Sequence, residues 1–94
     1  MEVYNNTGQT IIKLQISARE QETWGDNLLG NGILPNGGNT SFSYDANYQY
    51  YEVRIIFAGG SEITWRKDKA LNFYGSTMIV FSSNGDGTFR AKVD

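Results

Sequence analysis

At 94 residues the chain has room for one domain, and its net charge of −2 argues against the basic face that a nucleic-acid binder needs. It holds no histidine and no cysteine, which removes the Ser-His-Asp triad, any disulfide framework and the commonest metal ligands together. Aromatic residues make up 14% of a chain that is 39% hydrophobic, enough large rings to fill a small core, so the sequence reads as a folded domain over 1–94.

In chain order, Glu2 to Asn5 reads as a short strand with Val3 inward, and Met1-Glu2-Val3-Tyr4-Asn5 lacks the basic start and apolar core of a signal peptide. Asn6-Thr7-Gly8-Gln9 is a turn with Gly8 at positive φ. Thr10 to Ala18 is a strand whose alternation sets Ile12, Leu14, Ile16 and Ala18 on the core face and Lys13, Gln15 and Ser17 outside. Arg19 to Gly32 breaks the alternation and is longer than most connections in a small domain. Trp24 and Leu28-Leu29 are expected to pin it to one end of the fold, with Asp26 capping a single helical turn.

Ile33-Leu34-Pro35 then brings a strand residue and a stop, and Thr40 to Tyr44 gives a short strand with Phe42 and Tyr44 inward. The strongest signal is Tyr50 to Arg66. Tyr51, Val53, Ile55 and Phe57 alternate with Glu52, Arg54 and Ile56, the Gly59-Gly60 turn closes a hairpin, and Ile63 and Trp65 return on the core face. Arg66 to Lys69 reads as a solvated turn, and Ala70 to Tyr74 as a short apolar turn across an end of the sheet. Met78 to Phe81 is almost continuously apolar and belongs in a central strand. Asn84-Gly85-Asp86-Gly87 turns the chain into a last strand, Thr88 to Val93, with Phe89, Ala91 and Val93 inward. About seven strands between Gly/Asn turns, with no long helical period, predict an all-β, antiparallel β-sandwich of immunoglobulin or fibronectin-III type; a small barrel is the alternative. No apolar run approaches the ~20 residues of a membrane-spanning helix.

Several stretches together resemble a recurring, largely uncharacterised small β-sandwich domain of bacterial exported and surface-associated proteins. They are the Asn5-Asn6-Thr7-Gly8 turn, the Trp24-Gly25-Asp26-Asn27-Leu28-Leu29-Gly30 loop, Ile33-Leu34-Pro35-Asn36-Gly37, Tyr51-Glu52-Val53-Arg54 and Thr64-Trp65. The likeness covers most of the chain up to Trp65, and Asn36 after Pro35 departs from the glycine usual there. It implies a sandwich and an extracellular or periplasmic address, and it carries over no catalytic residue.

Three places could carry binding. In the irregular loop, Trp24 offers a stacking ring, and Asp26, Asn27 and Asn31 offer oxygens for a sugar hydroxyl or, with Asp45, for calcium. The plainer reading makes Trp24 a core cap and has Asp26 or Asn27 satisfying loop amides. Tyr48 and Tyr50, on alternate positions, could face solvent together as a platform for a carbohydrate, or pack across strands. Asn84 to Gly87 has the composition of a calcium-loop fragment but lacks the further ligands such a loop needs, so it reads as a turn. The carboxylates Glu52 and Glu62 sit opposite Arg54 and Arg66, a solvated salt-bridged face rather than a catalytic pair. The expectation is a non-catalytic module that binds a protein partner or itself, with a carbohydrate-binding module and a calcium-stabilised domain as alternatives.

Overall fold

The structure, a computed structural model, describes residues 1–19, 23–44 and 47–94. Eight strands follow in order: β1 (Glu2–Asn6), β2 (Ile11–Ala18), β3 (Asn39–Ser41), β4 (Tyr50–Phe57), β5 (Glu62–Trp65), β6 (Leu71–Asn72), β7 (Met78–Ser83) and β8 (Phe89–Val93). One sheet runs β3-β1-β7-β8 and the other β2-β4-β5, with β6 also paired to β4. Among the described residues no ladder joins the two sheets, so the fold is a sandwich and the barrel alternative falls away. One pairing departs from the antiparallel expectation, because β1 lies parallel to β7 over Glu2↔Met78 to Asn6↔Ser82. The sequence pattern is blind to this, since an alternating strand looks the same whichever way its neighbour runs.

Side-chain alternation puts the core where the sequence predicts it. Val3, Ile79 and Phe81 enter from one sheet and Leu14, Tyr51, Val53, Ile55 and Phe57 from the other, all buried. Trp65 leans across to Phe81, its ring centroid 5.3 Å away, and Phe57 meets Phe89 at 5.0 Å. The apolar run of β7 is explained by its central place between β1 and β8.

Three expectations are corrected. Ile12 is not a core residue: a bulge lets Ile11 pair with Phe57 and Lys13 with Ile56, so Ile11 is fully buried and Ile12 is turned out to solvent. Residues 42–44 lie beyond β3, though Phe42 and Tyr44 still pack on the core. The segment after the β5 edge is more than a crossing turn. A 3₁₀ turn at Lys67–Lys69 moves the chain along β4, where Leu71 pairs with Tyr51 and Asn72 with Tyr50 as β6.

The predicted charge pairs form on the outer face of the second sheet: Arg54 Nε meets a Glu62 oxygen at 2.6 Å, and Arg66 Nε lies 3.7 Å from Glu52. Glu52, however, is buried rather than solvated. Its second oxygen accepts the Lys67 backbone N–H at 2.8 Å, and Lys67 stands at φ 56, so the carboxylate holds the start of the 3₁₀ turn in a left-handed conformation.

Candidate functional site

The irregular loop is built onto β2. Asn27 sits opposite the bulge, and its amide replaces the strand that β2 lacks on that edge. Oδ1 accepts the N–H groups of Leu14 (3.0 Å) and Leu29 (3.1 Å), while Nδ2 donates to Gly30 O (3.1 Å) and Ile12 O (3.4 Å). Leu28 N–H adds a 2.8 Å bond to Leu14 O, and Leu34 exchanges two backbone bonds with Ile11. The Gln15 amide, on the outer face of β2, donates to Gly25 O at 3.0 Å. This loop therefore covers a sheet edge that would otherwise be a template for another strand.

That geometry assigns the loop residues. Asn27, not Asp26, caps the turn over residues 28–31, because its oxygen reaches the Leu29 amide; Asp26 and Asn31 stand exposed. Both oxygen lone pairs of Asn27 are engaged by amides, which leaves the calcium set of Asp26, Asn27 and Asn31 without its middle ligand. Asp45, its fourth member, lies outside the described residues, and among those described no three Asp or Glu side chains gather as a metal site. Trp24 is not a plug at the end of the core. It is half-buried on the outer face of the second sheet, with the Arg66 guanidinium 5.3 Å from its ring centroid.

The tyrosines separate. Tyr50 points to the outer face, where the Arg19 guanidinium lies 4.3 Å from its ring centroid, and it shares no platform with Tyr48. Tyr48 stands at one end of the sandwich, edge-on to the buried Tyr51 at 6.4 Å. Around it is an aromatic floor. Tyr51 stacks on Phe73 at 4.7 Å, and Tyr44 meets both edge-on at 5.4 and 5.3 Å. The Tyr44 hydroxyl is directed at Phe73 O (3.3 Å) and Ser76 O (3.4 Å), fixing that ring. Two hollows open beside this wall. One, about 170 Å³, is bounded by Phe42, Tyr44, Tyr48, Tyr51, Leu28 and Ser43 among others; the second, about 160 Å³, by Tyr44, Tyr48, Phe73, Tyr74 and Gly75. Tyr74 is 82% exposed, yet its backbone is held by an Asx turn in which Tyr74 N–H donates to Asn72 Oδ1 at 2.9 Å. An end that sets exposed rings beside two hollows has features of a binding site.

Asn5, Thr7 and Tyr74 were absent from the sequence-derived sites. Asn5 is fully buried, donating to Gln9 O (2.8 Å) and Leu34 O (2.9 Å) and accepting from Thr7 N–H (3.0 Å) and the Thr7 hydroxyl (2.6 Å). It joins the β1–β2 turn to Leu34, which bridges to Ile11. The legible signal was Asn-x-Thr-Gly itself, an Asx turn closed by a glycine, here at φ 86. For Tyr74 the signal was Asn72-x-Tyr-Gly, the same local chemistry.

The Asn84–Gly87 turn closes the β7–β8 hairpin as expected. Asp86 is fully exposed, and the Thr88 hydroxyl followed by the Thr88 amide holds its carboxyl below the ordinary carboxylate pKa. A depressed folded-state pKa stabilises the hairpin above the ordinary carboxylate range and ceases to do so as pH falls through the folded value. Thr88→Val is expected to raise the Asp86 pKa toward that of a free carboxylate in an NMR titration; an unchanged value would show that the amide alone sets it.

The chain matches no family model, no curated protein and no solved structure. Among the described residues no helix is long and apolar enough to cross a membrane.

Proposed function

We propose that the protein is a non-catalytic binding module that works through its aromatic end. The observation that carries this reading is the pair of hollows walled by Tyr44 and Tyr48 on a fixed ring floor. The carboxylates give no support to catalysis: Glu62 is paired with Arg54, and Glu52 is spent on the Lys67 amide and Arg66. Nor does the chain favour pairing with itself through β7, the strand whose apolar run would drive it, because β7 is central. An exported or surface-associated bacterial setting is proposed with it, on the sequence resemblance alone. The immunoglobulin or fibronectin-III likeness is proposed as one of size and layers; the order β3-β1-β7-β8 over β2-β4-β5 is what a related domain must share.

The site is tested with phenol as a ring-sized probe, followed by ¹⁵N–¹H chemical shifts. The expected result is movement of amides in 16–18, 42–44, 47–51 and 73–76 and at Leu28, with 24–27 changing less. Shifts centred on 24–27, or none at the aromatic end, would overturn the reading.

A further inference from the structure

We infer that the ligand of the aromatic end is a neutral chain of pyranose rings, which deepens the binding-module reading and rests on it. The size of the hollows comes first. Each measures about 160–170 Å³, close to the ~150 Å³ of a protein cavity that accepts one benzene. One six-membered ring therefore fits each hollow, and a ligand filling both must offer two such rings in succession. Tyr44 and Tyr48 border both hollows, so a chain passing from one to the other crosses the edge of the same two rings.

The lining chemistry selects among ring-bearing chains. None of the described residues bordering either hollow is charged, which matches an uncharged ligand. Hydroxyl-bearing side chains line both hollows, Ser17, Ser43, Tyr48 and Tyr51 at the first and Tyr48 and Tyr74 at the second, while the Tyr44 hydroxyl they share is directed at Phe73 O and Ser76 O. A hydroxyl both donates and accepts, and so does each hydroxyl of a sugar, whose C–H face can meanwhile lie on an aromatic ring. A proline-rich segment also presents rings, but its backbone offers only acceptors where proline stands, so it would use the donor half of these hydroxyls alone. Tyr74, its backbone held by Asn72 at the rim, is placed to contact the second ring of the chain.

The test is a ¹⁵N–¹H titration of the intact chain with cellopentaose, chitopentaose and maltopentaose, beside a ten-proline peptide. At least one oligosaccharide is expected to shift amides in 42–44, 47–51 and 73–76, and to do so more tightly than its monosaccharide. Tyr48→Ala should weaken that binding about tenfold or more, as loss of a central aromatic anchor does. Tyr74→Ala, at a side chain too exposed to support the fold, should also weaken it, while Tyr50→Ala on the outer face should leave it unchanged. Shifts from the proline peptide with none from any sugar would overturn the glycan and leave the aromatic site standing. Silence from the sugars while phenol still binds would do the same. Silence from every probe, phenol included, would remove both.

Discussion

Asn5→Ala is expected to cost about 1–3 kcal/mol of stability, because a buried polar group that loses its partner carries a penalty of that order and the Thr7 amide is left without its acceptor. The side chain is fully buried and accepts from the Thr7 amide, while Gln9 O, to which it donates, would keep the 3.1 Å bond from the Thr7 hydroxyl. Leu34 O would keep its bond from Ile11 N–H, so the loss there is partial. For a domain of this size the midpoint of a thermal melt should fall by roughly 4–20 °C. A second variant separates polarity from volume. Asn5→Asp fills the same space but sets a carboxylate against two carbonyl oxygens that now receive a proton each. Burial beside acceptors raises the pKa of such a group, so its protonated form is the one the fold tolerates, and the deficit should shrink as pH falls through the folded-state value. A melt little changed by Asn5→Ala, or an Asn5→Asp deficit that grows in acid, would contradict this assignment.

Asn27→Ala is expected to cost about 1–2 kcal/mol, less than Asn5 because its surroundings are partly open and water can replace some of the bonds. Its larger effect should be local. Without the Asn27 oxygen, the Leu14 and Leu29 amides lose their acceptor, and the loop loses its hold on the β2 edge. Hydrogen exchange at Leu14 and Leu28 should speed up well beyond what the global loss of stability explains, because local opening sets exchange there. The uncovered edge should also raise the tendency to aggregate. Asn27→Asp retains the acceptor and loses both donors, so it should fall between wild type and alanine. Exchange at Leu14 that follows global stability alone would show that the loop does not clamp the edge.

The architecture was legible wherever one face of a strand is buried, because burial imposes a period of two. The β4–β5 hairpin, the central place of β7 and the inward sets of β1, β4 and β8 all follow from it. What failed has identifiable causes. The bulge at Ile12 inserts one residue, which no alternation rule registers until a partner strand is seen. The direction of β1 against β7 leaves no trace in composition. At the site, Tyr48 and Tyr50 were paired by spacing, but Tyr48 precedes β4 and is not bound by the strand's alternation. Tyr48 therefore turns to the end of the sandwich while Tyr50 goes to the outer face with Arg19. In the loop, the sequence marks Asn27 for its oxygen. The structure shows that Oδ1 accepts from two backbone amides, the plainer of the two readings weighed from the sequence.

The central claim is that the Trp24 loop serves the fold while the aromatic end serves binding. Titrating Trp24→Ala and Tyr48→Ala with phenol, side by side and read by ¹⁵N–¹H shifts, tests it most directly. The account predicts wild-type affinity at 42–44, 47–51 and 73–76 for Trp24→Ala, and loss of those shifts for Tyr48→Ala with the rest of the spectrum intact. Binding that survives Tyr48→Ala and disappears with Trp24→Ala would contradict it and place the site on the outer face of the second sheet.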